Sequence, residues 1–437
     1  MTRRFTLILA CLSITLLGHA TDKSVTLEHP GTLSDILGDE LMGIESISIA
    51  GTLNDDDILT LKEATKSGKL AEIDLSKAEL ANNALPNYAF YEATRLRNII
   101  LPETLTTIGT AAFGFDSDLE GIVIPESVTF LGEYAFEFCP SLRSAKLPDK
   151  LEEIPTASFL QCHNLRNITL PTNLKSIGAY ALQGDNIETL TLPNSLEYIG
   201  EGALQYNKFT EIVVPDGCQI DALGIFASNF ELESISLPTG IDCIPAETFQ
   251  ECIKLKNVNI PGSVTSIGRK AFLNCRQLTG IQFSKCLRRI EDGAFSDCSS
   301  LKTLALPGEV EYLGERAFEN LTGLEAIYSE SATPPTCYIN PDVNHTAMSN
   351  TFDGCNADIP VYVPYGSVEA YANTPGWDRF TNFIETDKFP ESGIETTIRD
   401  TAPAGDGLYY DLQGRRVDTP IPGHLYIHNS KKTIYSE

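Results

Sequence analysis

An apolar residue followed by proline returns along most of this chain at a nearly fixed interval. It falls at Leu101–Pro102, Ile124–Pro125, Leu147–Pro148, Leu170–Pro171 and onward to Leu306–Pro307, in steps of 23 residues twice shortened to 22. A second marker keeps phase with it, at Phe90, Phe113, Phe136, Phe159, Leu182, Leu204, Phe226, Phe249, Phe272, Phe295 and Phe318. Two markers in phase constrain the fold severely. A unit this short cannot bury its own apolar face, so each must stack on the next, and the expected architecture is a solenoid.

Within a repeat, the segment before the proline reads L-x-x-I-x-L, as in Leu165–Leu170. Its last two apolar residues are one residue apart, so they share the buried face of a short strand, and the residue between them points outward. Proline carries no amide donor and suits the point where strand pairing stops. A second apolar pair follows, such as Val264 and Ile267, then Gly268 and a compact A-F-x-x-C, Ala271–Cys275. That last stretch is expected to be a turn of helix or 3₁₀ structure on the convex side. The fold class is therefore an α/β repeat, rich in β: a right-handed leucine-rich-repeat solenoid of about 23-residue units. Residues 85–330 carry the repeats.

The chain opens with Arg3 and Arg4, an apolar run from Phe5 to Leu17, and small residues at Gly18 and Ala20. This is the pattern of a secretory signal peptide over residues 1–20, cleaved after Ala20. Lipoprotein anchoring at Cys11 is the alternative, though Cys11 sits inside the apolar run. No other stretch reaches the length of apolar residues that spans a bilayer. The net charge of −27 becomes more negative once the two arginines are removed. Such a surface repels phosphate backbones and makes nucleic acid an improbable partner.

Cys139, Cys162, Cys252, Cys275 and Cys298 each follow a marker phenylalanine by three residues, and other repeats place Asp116, Asn207 or Asn229 near that slot. A slot that accepts Cys, Asn or Asp wants a small side chain that can bond to turn backbone, so these cysteines are expected to be buried free thiols. The chain holds no C-x-x-C, and no metal site or cofactor is expected. Cys337 and Cys355 lie outside the repeat and could pair with each other. Between residues 21 and 84, Gly43–Ile49 and Lys69–Leu75 copy the strand motif around a helix opening at Asn54-Asp55-Asp56-Asp57. Carboxylates at a helix N-terminus account for that acidic run better than calcium does. A helix-bearing first unit would cover the open end of the coil.

Beyond Ile327 the repeat fades. Thr351–Cys355 echoes the Phe-Cys turn, Val361–Pro364 reads as a strand, Ser367–Asn373 as a capped helix, and Trp377 follows. Residues 331–386 form the expected C-terminal cap. The repeat I-P-x-S-V-x-x-I-G-x-x-A-F-x-x-C, closing on V-P-Y-G-S-V-E-A-Y and Gly376-Trp377, resembles the BspA-like leucine-rich-repeat proteins exported by anaerobic oral and gut bacteria. The resemblance covers roughly residues 25–385. It implies a secreted or cell-surface protein of the adhesin type, some relatives binding host matrix proteins or other bacteria, and it brings no catalytic motif to transfer. One repeat departs from pattern: Cys218 replaces Leu and Asp221 stands where Ile is usual. Residues 387–437 read as a polar linker and a small β-module around Tyr409–Val417 and Pro422–Ile427.

Function is expected on the outward strand residues, one per repeat: Val123, Lys146, Thr169, Thr191, Val213, Ser236, Asn259 and Gln282. That row is short and polar, which suits a protein partner on host or neighbouring cells, with glycan as the second ligand class and a monomeric state. A glycan-processing enzyme would need two carboxylates held across a cleft, and the row offers few acids, Asp74 being the exception. No G-x-S-x-G, H-E-x-x-H or phosphate loop occurs, so no catalytic residue is assigned.

Overall fold

The structure is a computed structural model. It describes residues 23–339 and 349–390, together with the backbone strands Tyr409–Tyr410, Arg416–Val417, Leu425–His428 and Lys431–Ile434. The sequence patterns expected for a signal peptide and for Cys11 lie outside the described residues. Two compact units divide at Gly393.

The first unit is a coil of stacked parallel strands. Its first sheet begins with Lys23–Leu27, Ser46–Leu53, Glu72–Leu80 and Asn98–Ile100, then continues through Gly121–Val123, Ser144–Lys146 and Asn167–Thr169. It resumes at Glu211–Val213, Ser234–Ser236, Asn257–Asn259 and Gly280–Gln282, and ends with Thr303–Leu306, Ala326–Ser329, Pro360–Val363 and Asn382–Glu385. Pairing is parallel within each of these four blocks. The two apolar residues of each motif point inward as expected: Ile168 and Leu170 are buried and Thr169 between them is exposed.

The sequence reading missed a second parallel sheet. It runs from Ala84–Leu85 through Thr107–Ile108 and Phe130–Leu131, Glu153–Ile154, Ser176–Ile177 and Tyr198–Ile199, then Cys243–Ile244 onward to Thr336–Cys337. These strands are two residues long, too short to show an alternating pattern in sequence. Gly268 lies just beyond one of them. A Cβ there would sit 2.6 Å from the Ala246 backbone nitrogen of the coil before, so the position requires glycine.

The expected helical turn at A-F-x-x-C is also corrected. Lys270 and Asn274, two residues to either side of Phe272, have φ of 55° and 63°. That left-handed backbone cannot continue a right-handed helix. It turns alternate amides along the stack instead. Phe249 donates to the Ala271 carbonyl (2.8 Å) and Phe272 to that of Ala294 (2.8 Å), while Cys275 closes a local turn onto Phe272 (3.1 Å). The third side of the coil is thus a ladder of turns, bonded from repeat to repeat like the sheets.

Inside that ladder the marker rings stack face to face: Phe90, Phe113, Phe136 and Phe159 at 5.1–5.5 Å, then Phe226 through Phe318 to Phe352 at 5.0–5.9 Å. Leu182 and Leu204 separate the two stacks, and all of these side chains are fully buried. At the N-terminal end Asn54 caps the helix Asp55–Lys66 in a capping box with Asp57, whose carboxylate also accepts from the amides of Gly31 (2.7 Å) and Leu33 (3.0 Å). Of the acidic run, the Asp57 carboxylate is occupied by this capping, while Asp55 and Asp56 are exposed in the first turn. At the other end the short helix Val368–Ala372 places Tyr371 against Trp377. The Tyr371 hydroxyl donates to the Ser331 carbonyl (2.7 Å), and the Trp377 indole donates to that of Pro335 (2.9 Å). Cys337 and Cys355 are both buried free thiols, so the pairing left open by the sequence is not made.

The second unit contains an antiparallel sheet in the order Arg416–Val417, Tyr409–Tyr410, Leu425–His428, Lys431–Ile434.

Candidate binding face

Parallel pairing places one outward residue per coil in a row across the first sheet. Val123 lies opposite Lys146, and Lys146 opposite Thr169. After an interruption, Val213 faces Ser236, and Asn259 faces Gln282. All are exposed except Gln282, which is half-buried; Val213 is 65% exposed, an open position for an aliphatic side chain. The row is less even than the sequence suggests. Thr191 is exposed but belongs to no strand, and Ser234–Asn257 is the only rung that joins the strands of Ser236 and Asn259. The Lys146 ammonium sits 3.1 Å from the Glu126 carboxylate, an exposed pair of small energetic weight.

Separately paired blocks extend the row to either side of the residues chosen from sequence. Upstream it passes through Ser24, Ser48, Asp74 and Ile100. Downstream it passes through Ala305, Tyr328, Tyr362 and Ile384. Tyr328 and Tyr362 stack with ring centroids 4.4 Å apart and planes 8° from parallel. Burial raises the Tyr328 hydroxyl above its ordinary range, with Tyr362 adding to it. These tyrosines were invisible to the periodic reading because the step between them exceeds the repeat. Their only signal was apolar alternation in Ala326–Ser329 and Pro360–Val363.

One flank of the face carries ion pairs that climb one coil at a time: Arg143 to Glu120 (3.8 Å), Lys256 to Glu233 (2.6 Å) and Lys302 to Glu325 (2.9 Å). The strongly shifted groups lie elsewhere, inside the turn ladder. Burial pushes the Asp116 carboxyl up to about 9 and the Cys252 thiol up to about 12, and it raises Asp185 well above the carboxylate range, with Cys162 adding to it. None of these three is open to solvent. No group of three metal-ligating side chains converges among the described residues. The chemistry this face offers is recognition by hydroxyls, amides, aliphatic groups and two aromatic rings, with Lys146 and Asp74 as charged members of the row.

A parallel β-solenoid with about 23 residues per coil and one solvent-facing residue per strand defines a leucine-rich-repeat protein. The profile of the BspA type leucine rich repeat region matches residues 83–218 and 223–334, in six copies, and the chain belongs to that family. Among solved structures it is similar to a leucine-rich repeat protein from Bacteroides ovatus, 26% identical, with 78% of this chain and 88% of that chain covered and a TM-score of 0.59. A leucine rich cell surface protein from Faecalibacterium prausnitzii is 25% identical, with 67% and 85% covered and a TM-score of 0.43. The pneumococcal vaccine antigen PcpA is 18% identical, with 78% and 79% covered and a TM-score of 0.38. No curated protein matches the chain.

Proposed function

We propose that this protein is an exported, non-enzymatic adhesin whose outward face on the first sheet docks a protein partner carried by host or neighbouring cells. The observation that carries the reading is the register of Val123, Lys146 and Thr169 and of Val213 and Ser236, which sets one outward side chain per coil above a core that does not depend on it. Such a row can change its chemistry without disturbing packing, the property a recognition surface needs. Membership of the family and the N-terminal pattern of Arg3, Arg4 and the Phe5–Leu17 run support export to the cell surface. In this reading residues 21–84 and 331–386 close the ends of the 85–330 coil, residues 387–437 form a linker and an appended module, and the protein acts as a monomer.

The test is a panel of extracellular-matrix proteins and intact bacteria probed with the full chain and with the variant Lys146→Glu, Thr169→Glu, Thr191→Glu. The variant is expected to lose at least roughly tenfold in capture. Its melting temperature should stay close to that of the parent, because exposed substitutions of this kind cost within about 0.5 kcal/mol. Capture that survives the triple change but disappears when residues 387–437 are deleted would assign binding to the tail.

A further inference from the structure

The last block of the first sheet differs from the rest of the face. Its strands Thr303–Leu306, Ala326–Ser329, Pro360–Val363 and Asn382–Glu385 are four residues long and pair without interruption. Alternation buries Leu304 and Leu306, Ile327 and Ser329, and Val361 and Val363. The outward positions are then Thr303 and Ala305, Ala326 and Tyr328, Pro360 and Tyr362, and Asn382 and Ile384. None of the eight carries a charge, in a chain whose net charge is −27.

The two tyrosine rings stack along the ladder, so their planes face the neighbouring rungs. The rung before Tyr328 is Ala305, whose methyl group cannot cover a ring. With adjacent strands about 4.8 Å apart, an alanine rung beside a standing ring leaves a slot about one ring thick. Thr303 borders it on its own strand, and the two outward strands that precede it in the chain carry amide side chains at Asn257, Asn259 and Gln282. The wall is held rigidly from below. Ser329, on the strand of Tyr328, is buried 2.8 Å from the Tyr371 hydroxyl, and Tyr371 packs edge-on against Trp377 at 5.0 Å. A wall already fixed in place loses little entropy on binding.

A cationic ligand would call for carboxylates at these positions and an anionic one for lysine or arginine. An aromatic wall with neutral amide and hydroxyl groups matches a ring that is flat and apolar on one face and hydroxylated at its rim. We propose that this shelf binds a neutral hexopyranose glycan, one sugar ring stacking on Tyr328 above Ala305 with its hydroxyls bonded to Thr303 and the neighbouring amides. This site lies at the C-terminal end of the same outward row and shares Asn259 and Gln282 with the docking surface, while Lys146, Thr169 and Thr191 stand outside it.

Saturation-transfer NMR on the full chain tests the proposal, with maltotriose, mannotriose and lactose as neutral probes and sialyllactose and N-acetylarginine amide as charged ones. At least one neutral sugar should receive saturation. Tyr328→Ala and Tyr362→Ala should each weaken its binding by roughly tenfold, and Tyr328→Phe, which keeps the ring, by no more than about twofold. Ala305→Phe fills the slot without opening a cavity, so it should abolish binding while leaving the melting curve intact. The Lys146, Thr169, Thr191 triple variant should bind the sugar as the parent does, which separates failure of this site from failure of the docking row. Silence from all three neutral sugars, stronger transfer to either charged probe, or full binding by a folded Ala305→Phe variant would overturn the proposal.

Discussion

Between Phe249 and Cys298 the turn side of the coil is built from phenylalanine and cysteine, whereas between Leu182 and Asn229 leucine replaces two of the marker rings and Asp185, Asn207 and Asn229 fill the slot. In the first region every marker ring stacks on the next, and Cys252, Cys275 and Cys298 each donate an S–H to the phenylalanine carbonyl one coil back, at 3.1–3.2 Å. In the second, both sheets lapse. The first has no strand around Thr191, and the second is bridged only by Tyr198 and Gln219. The turn amides still bond from coil to coil there, Leu182 to the Ala203 carbonyl (2.9 Å) and Leu204 to that of Ile225 (3.1 Å), and a ladder of polar side chains adds to them. Asn207 donates to the Leu182 carbonyl (2.8 Å) and accepts from the Ile187 amide (3.2 Å), while Asn229 accepts from the Asn207 amide (2.8 Å) and donates to the carbonyls of Leu204 and Phe226 (3.0 and 2.8 Å). Where the slot after the marker residue holds cysteine or asparagine, it aims a hydrogen-bond donor at a carbonyl one coil back. A thiol suffices where rings and strands already define the stack, and a full amide stands where they do not.

Removing a ring should hurt most. Phe272 is fully buried between Phe249 and Phe295 at 5.1 and 5.0 Å, and Phe272→Ala is expected to cost about 3–5 kcal/mol in urea unfolding. Asn207→Ala should come next, at about 2–3 kcal/mol, because it orphans the buried Ile187 amide and the Leu182 carbonyl together. A loss below that of Cys275→Ala would break the comparison.

Asp116 occupies the same slot with no hydrogen-bond partner for either carboxylate oxygen. Burial raises its pKa from 3.8 to about 9; the approach of the Asp118 and Leu119 backbone amides opposes the rise without satisfying either oxygen, and the Asp118 charge adds a smaller push upward. A carboxyl whose folded value is raised favours the fold fully below pH 3.8, and that contribution is lost as pH climbs toward 9. Asp116→Asn supplies the donor without the charge. It should raise stability at pH 8 by roughly 1–2 kcal/mol, change little at pH 4, and flatten the pH profile. An unchanged profile would show that Asp116 is not the buried acid responsible.

The smallest effect belongs to the thiols. Cys275→Ala should cost about 1 kcal/mol or less, since a thiol is a weak donor. In native buffer a thiol reagent should label the exposed Cys286 and leave Cys139, Cys162, Cys252, Cys275 and Cys298 untouched until denaturant is added. Rapid labelling of those five would refute their place in the core.

The coil, its period, the inward strand residues and the capped helix at Asn54 were legible because each repeats or obeys a local rule. The second sheet was not, since a two-residue strand such as Ser266–Ile267 pairs only through the neighbouring coil. The turn at Ala271–Cys275 looked helical because alanine, phenylalanine and cysteine sit at helix-like spacing, while its amides bond to a segment about one period away. Most of the candidate row followed from alternation alone. Thr191 holds no strand position, although Val213 in the next coil, also one residue shorter than the usual period, does. Tyr328 and Tyr362 escaped notice because the chain between them runs longer than a repeat, so nothing in the sequence places the two rings together.

Hydroxyl-radical footprinting of the full chain, free and bound to its captured protein partner, tests the central claim most directly. The account predicts protection of Val123 and Val213 on the outward row, with Phe115 and Tyr206 on the turn side labelled equally in both states, all four being exposed in the free protein. Protection of Phe115 and Tyr206, or of residues 409–434, with Val123 and Val213 still labelled would contradict it.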